Sequence, residues 1–493
     1  MPAPVVAAPE PRSPAEVAAG VDALLPWTGR AAPACDDAAF VRRLTLDLHG
    51  TLPAPAAAKA FVADRAPGKR ARLAEALARD PAFARRFAEL LGRGWLEGSL
   101  PDDDGGRFLR AELTGWLERE LAADHGLDGV VAELIAAEGT TDERPATIYA
   151  FAHGRDDLVD LAGATARDFL GSELRCARCH DHPFEATKQA DFHALAAYFV
   201  RARIRPEPGR LGVYRVSEAP LGEHRWSPGA GEARVESAPA PPGPGGLAPG
   251  VTPAHSLKTS RRAELARWVT SPANPRFAPA LADRLWTLLL GRPAPAPVAA
   301  ALGRELVASG HSLRRLVLVI TATAAYGRAS SGVEELEPAR AAFAAARVRP
   351  LDAPTLARVL LAAAGRDRPG PGEPEPLHRA LARRVEAELA AALPGPGEAA
   401  RDDPEQASAA LGLALVAGRA VPGLARGPLL TRLLALPPAE RPDDLWWSTV
   451  GRDPRPDERR LVAELLASTP DPRRAWEELA WALLASSELA TNH

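Results

Sequence analysis

The chain is short of several residues that usually mark a chemistry. Methionine occurs only at Met1, which removes thioether sulfur as an internal metal ligand. Three cysteines in 493 residues are too few for a disulfide framework. Lysine occurs only at Lys59, Lys69, Lys188 and Lys258, so the basic residues are almost all arginine. The formal net charge of −3 gives no global basic field, which argues against a nucleic-acid partner. No apolar run reaches the length of a membrane span. The opening "MPAPVVAAPEPRSPAEV" has neither a basic n-region nor an apolar h-region. Taken as it stands it predicts a cytoplasmic protein; a start upstream of Met1, or a processed form, would place the chain outside the cytoplasm. No G-x-S-x-G, Walker-type or H-E-x-x-H string occurs, so an ordinary serine hydrolase, nucleotidase or zincin is not indicated.

What is present is helical periodicity. "DDAAFVRRLTLDLHG" (36–50) opens on an Asp cap and repeats apolar residues at helical spacing before "TLPAP" breaks it. Similar segments continue to about residue 204. From 205 to 257 the character changes. "PAPPGPGGLAPGVTP" is too rich in Pro and Gly for a helix or central strand, and "RLGVYRVSEAP" alternates weakly, as one short strand would. Helical patterns resume at "RRAELARWVTS" and run to the end. The expected fold is therefore mainly α. It has an N-terminal segment (1–35), a multi-helical domain (36–204), a Pro/Gly-rich linker with a small β element (205–257) and a second multi-helical domain (258–493).

The densest chemistry lies in "ELRCARCHDHPF" (173–184), with two of the three cysteines and two of eleven histidines. Cys176, Cys179 and His180 fit C-x-x-C-H. Two thiols three residues apart on one side of a turn suit thioethers to the vinyl groups of one haem c, and the adjacent imidazole suits the iron. With methionine scarce, a sixth ligand would come from His193 or His153, and without either the iron is five-coordinate. A second reading is Zn²⁺ held by Cys176, Cys179 and His182, with His180 or His193 as further donors. A third is structural, with the thiols buried or joined in a local disulfide. The residues alone leave all three open.

Other clusters read as structure. Asp102, Asp103 and Asp104 predict an exposed acidic turn rather than a Ca²⁺ loop. Asp47 and His49 predict capping or a buried hydrogen bond, with Arg42 and Arg43 as partners of such acids. Trp268, Trp286, Trp476 and Trp481 lie on helical stripes and predict core. Adjacent Trp446 and Trp447 cannot face one way on a helix, so one is expected at an exposed contact surface.

Several strings resemble a known pairing of families. "FVRRLTLDLHGTLPAPAAAKAFVAD" and "FLGSELRCARCHDHPFEATKQADFHALAAYF" resemble the DUF1549 (PSCyt2) domain of planctomycetes. "RRAELARWVTSPANPRFAPALADRLWTLLLGR" and the ending "AWALLASSELATNH" resemble the DUF1553 (PSD1) domain. Asp283 stands where that family usually has Asn, and the stretch after Gly291 is shortened. The resemblance implies a secreted, extracytoplasmic protein related to chains that carry cytochrome-c-like modules, with redox or envelope partners. Together with C-x-x-C-H it leads to the expectation of an exported haem-c protein in electron transfer or redox support. The alternative expectation is a non-catalytic scaffold with a Zn-, disulfide- or thiol-stabilised cluster. Neither expectation names a substrate.

Overall fold

The computed structural model describes residues 12–27, 29–96, 98–181, 187–229, 232–240, 260–370, 373–391, 412–416 and 418–493. The fold is mainly α with a few small sheets. Two compact units form: one from residues 1–25 and 80–323, the other from 26–79 and 324–493. Each unit is thus assembled from two separate stretches of the chain.

The first unit stacks short amphipathic helices around Trp95, Trp286, Phe83, Phe87 and Phe169, all within 1% of full burial. The acidic turn is exposed as expected, and Asp103 caps the helix Asp104–Ala122 by accepting from Gly106 N at 2.7 Å. The stretch read as a linker with one strand carries more β structure than its pattern suggests. β1 (Gly139–Thr140) pairs with β3 (Tyr214–Glu218), which pairs in turn with β2 (Ala202–Pro206), all antiparallel. β4 (His224–Trp226) and β5 (Val235–Ser237) form a separate hairpin. Strands of two to five residues are too short for alternation to stand out in sequence.

The helix Arg261–Val269 joins this unit through two buried arginines. Arg261 forks onto both carboxylate oxygens of Glu223 at 2.8 and 2.6 Å and donates to Ala197 O at 3.1 Å. Arg262, fully buried, donates to the carbonyls of Ile135 (3.3 Å) and Ala137 (3.1 Å) and lies 3.7 Å from the Glu218 carboxylate. Those carbonyls lie at or just past the end of the helix Leu127–Ala136, where the last C=O groups have no intrahelical donor.

The second unit is organised by the helix Asp37–His49. Asp36 caps it, accepting from Ala39 N at 2.7 Å, and Gly50 ends it in the left-handed conformation that glycine adopts without Cβ strain. Arg42 and Arg43 point into the protein. Arg42 donates to the carbonyls of Thr491 (2.8 Å), Glu488 (2.9 Å) and Leu489 (3.1 Å). Burial lowers its guanidinium to about 10, so it remains charged at neutral pH. Gly451 is also left-handed and backs onto the Arg42 stem, where a Cβ would lie 3.3 Å from Cδ. Arg43 donates to the carbonyls of Tyr326, Arg328 (2.9 Å) and His493 (3.2 Å). The expected pairing of these arginines with acids is therefore corrected: both read backbone carbonyls. Asp47 is held instead by Arg349 at 2.8 and 2.9 Å, Tyr326 Oη at 2.8 Å and Asn492 Nδ2 at 2.8 Å. His49 Nε2 donates to Leu77 O at 2.9 Å. β6 (Arg349–Pro350) pairs with β7 (Thr491–Asn492), which brings Arg349 and Asn492 to the same carboxylate.

Trp268, Trp286 and Trp476 are core, while Trp481 is half-buried against it. Trp446 and Trp447 are both buried at 4% exposure, which corrects the expectation of an exposed one. They do face opposite ways. Trp446 enters the main core, and Trp447 packs with Val41, Ala58 and Phe61 from the start of the chain. Their indole N–H groups donate to Glu458 (3.0 Å) and Asp453 (2.7 Å).

Asp47 is only 6% exposed and is bound by three side chains. Asp47→Ala removes the acceptor shared by Arg349, Tyr326 and Asn492 and should destabilise this unit by about 3–5 kcal/mol, the scale for breaking a buried pair. Urea unfolding measures this; a loss below about 1 kcal/mol, the surface-pair scale, would contradict the buried-network account.

Candidate functional site

The cysteine motif comes after the helix Asp160–Leu170, which Gly171 ends at φ 60°. A five-residue 3-10 turn, Leu174–Arg178, comes next. With three residues per turn, side chains at i and i+3 fall on the same row. The first row, Leu174 and Ala177, is fully buried and anchors the turn. The second, Arg175 and Arg178, includes the brace: Arg178 bonds Asp157 at 2.5 Å and Asp160 at 2.7 Å. The third is Cys176 and Cys179, both exposed and neither in a disulfide. The same repeat that buries the apolar row therefore turns both thiols outward on one edge.

His180 is exposed, and its Nδ1 lies 2.7 Å from the carbonyl oxygen of Asp181. A carbonyl only accepts, so Nδ1 carries the proton. In the neutral ring Nε2 then holds the free lone pair, the arrangement found in imidazoles that ligate metals while their other nitrogen donates to a backbone carbonyl. Asp181 is itself fixed, accepting from Lys188 Nζ at 2.9 Å and Gln189 N at 3.0 Å. These bonds hold its carboxyl below the usual range, the backbone N–H of Gln189 most of all.

The helix Gln189–Ala196 packs on the turn and contributes His193. Its Nε2 donates to Arg178 O at 3.1 Å, and Gln189 Nε2 donates to the same oxygen at 3.2 Å. His193 Nδ1 lies 2.9 Å from His224 Nε2 on β4. Because His193 already carries its proton on Nε2, its Nδ1 accepts and His224 Nε2 donates. Trp226 stacks on His193 with centroids 4.1 Å apart and planes at 17°. The turn and His193 are thus brought together, but both His193 nitrogens are engaged. His153 lies elsewhere on the unit's framework, on the helix Thr147–Gly154, with Nε2 donating to Trp95 O at 2.7 Å and its ring edge-on to Tyr149. His182 lies outside the described residues. Among the described residues no three His, Cys, Asp or Glu side chains gather as a metal set.

His224 and Trp226 were not legible in the sequence. They lie in the stretch that read as linker, far from the motif in the chain, and no spacing rule joins them to it. Burial, with the adjacent His224 as a smaller cause, holds His193 down at about 4, and burial also lowers His224. An unfolded histidine titrates near 6.5. Between those values the unfolded chain binds more protons, so the pair's contribution is complete above about pH 6.5 and is lost as pH falls toward 4. Stability measured by urea unfolding from pH 7 to 4 should fall through this window. The fall should be shallower in His224→Gln; an unchanged slope would remove the pair as its source.

Comparison with family descriptions gives two matches. Residues 28–203 match PSCyt2, described as protein of unknown function (DUF1549), and residues 261–405 match PSD1, described as protein of unknown function (DUF1553). No curated protein and no solved structure matches the chain. With the cysteine turn inside the first match and the Arg261–Arg262 helix opening the second, the chain carries a DUF1549 (PSCyt2) segment followed by a DUF1553 (PSD1) segment.

Proposed function

We propose that the turn Leu174–Arg178 and its flank are the attachment site of a c-type haem, in an extracytoplasmic protein that transfers electrons or supports an envelope redox system. Cys176 and Cys179 would form the thioethers, and His180 would ligate through Nε2. The observation that carries this reading is the hydrogen bond from His180 Nδ1 to Asp181 O, which occupies Nδ1 and leaves Nε2 as the nitrogen outside that bond, next in the chain to two exposed thiols. The donor set fits the group in kind: two thiols outside any disulfide, one imidazole with its Nδ1 held to a carbonyl, and a turn already held by Arg178 and Asp181. When bound, haem supplies one-electron chemistry. The chain's part is to present both sulfurs on one edge, keep the His180 tautomer, and brace the loop against movement. His193 would have to give up its bond from His224 or its bond to Arg178 O to serve as a further ligand, so the resting arrangement favours His180 as the one histidine that would hold the group from this segment.

Export of the protein in a host with haem-attachment machinery tests this. The expected product keeps a haem absorbance through denaturation, and a Cys176→Ser/Cys179→Ser double variant loses it. His180→Ala should keep the covalent group with an altered Soret band, and His193→Gln should leave that band unchanged. Folded, haem-free protein under these conditions would overturn the reading. Stoichiometric Zn²⁺ in that product would instead support the structural-metal alternative.

A further inference from the structure

The family boundaries and the compact units divide the chain differently. Residues 26–79 belong to the PSCyt2 side in sequence yet fold with 324–493. Residues 260–323 open the PSD1 side yet fold with 80–240. In each exchange a pair of adjacent arginines enters the other half and takes up its backbone carbonyls. Arg42 and Arg43 bind carbonyls of Tyr326, Arg328, Glu488, Leu489, Thr491 and His493. Arg261 and Arg262 bind those of Ile135, Ala137, Ala197 and Gly222.

Independent contacts repeat the pattern. Trp447 is covered by Val41, Ala58 and Phe61. The backbone of Ala32 and Cys35 donates to Ala344 O (2.8 Å) and Gly327 O (2.9 Å). The first helix, Pro14–Asp22, packs on the helices Ala296–Ala308 and Leu313–Ala322, and Arg315 donates to Arg12 O at 2.6 Å. Removing either half leaves guanidinium groups without acceptors and apolar faces bare in both units at once.

We infer that residues 1–240 and 260–493 are obligate partners, each half completing a unit the other cannot form. The partner that fits the surface of one half is the other half of this same chain, held by exchanged segments. This inference does not depend on the haem reading.

The test uses the full chain with a specific protease site inserted between Gly245 and Gly246. The uncut protein with the insertion should match the wild type in helical circular dichroism and melting temperature. After cleavage the two fragments should co-elute at the mass of the intact chain. In rising urea they should separate only where the helical signal is lost, with coincident midpoints. Two fragments that separate in native buffer, or that part in urea with helical signal intact, would show two ordinary domains and overturn the inference.

Discussion

The constraint on which most of the structure depends is the burial of charged guanidinium groups against backbone carbonyls. Burying an arginine is costly unless its charge and donors find partners; the terminal nitrogens of Arg42, the Arg43 guanidinium and Arg262 Nη1 find theirs in C=O groups, many of them at or near chain and helix ends, while Arg262 Nε lies 3.7 Å from the Glu218 carboxylate. Such oxygens lack an intrahelical donor and would otherwise need water or a cap. Arg42 and Arg43 each tie the helix Asp37–His49 to three carbonyls at once, so they fix its position more tightly than one apolar contact could. The carboxylate of Asp47 is the complementary case, a buried acid that collects Arg349, Tyr326 and Asn492 from segments far apart in the chain. Burial also pushes the Tyr326 phenol well above its ordinary value, so it stays a donor to Asp47.

Around the cysteine motif the logic is similar but the polar groups face outward. Leu174 and Ala177 anchor the turn, Arg178 pins it to Asp157 and Asp160, and Asp181 ties the end of the motif to the helix Gln189–Ala196. The two thiols and the His180 Nε2 are left as the groups not used in holding the fold. Under the proposed haem attachment, that division, with supporting residues bonded and the attaching groups left over, is what a preorganised site requires. The buried His193–His224 pair continues the support one layer further, through the Arg178 carbonyl.

Much of this was legible in the chain. The Asp36 cap, the "TLPAP" break and the helical stripes point to the mainly α architecture, and Cys176, Cys179 and His180 stand out by spacing alone. The features that were not legible depend on contacts between distant segments. Arg42 and Arg43 look like partners for nearby acids because carbonyl acceptors at the far end of the chain carry no sequence mark. One of Trp446 and Trp447 looks exposed because the face that covers Trp447 comes from residues 41–61. His224 and Trp226 are hidden by short strands whose alternation is too brief to read. Local signals describe elements; they do not say which element from the other end of the chain will close over them.

The central functional claim is that the free edge of the turn takes a covalent group through both thiols. The most direct measurement is peptide mass analysis, with thiol alkylation, of the exported and matured full-length protein. The peptide spanning Cys176 to His180 should gain the mass of one haem, with neither thiol alkylated, while Cys35 is alkylated on denaturation. A peptide of unmodified mass with both Cys176 and Cys179 alkylated would contradict the claim.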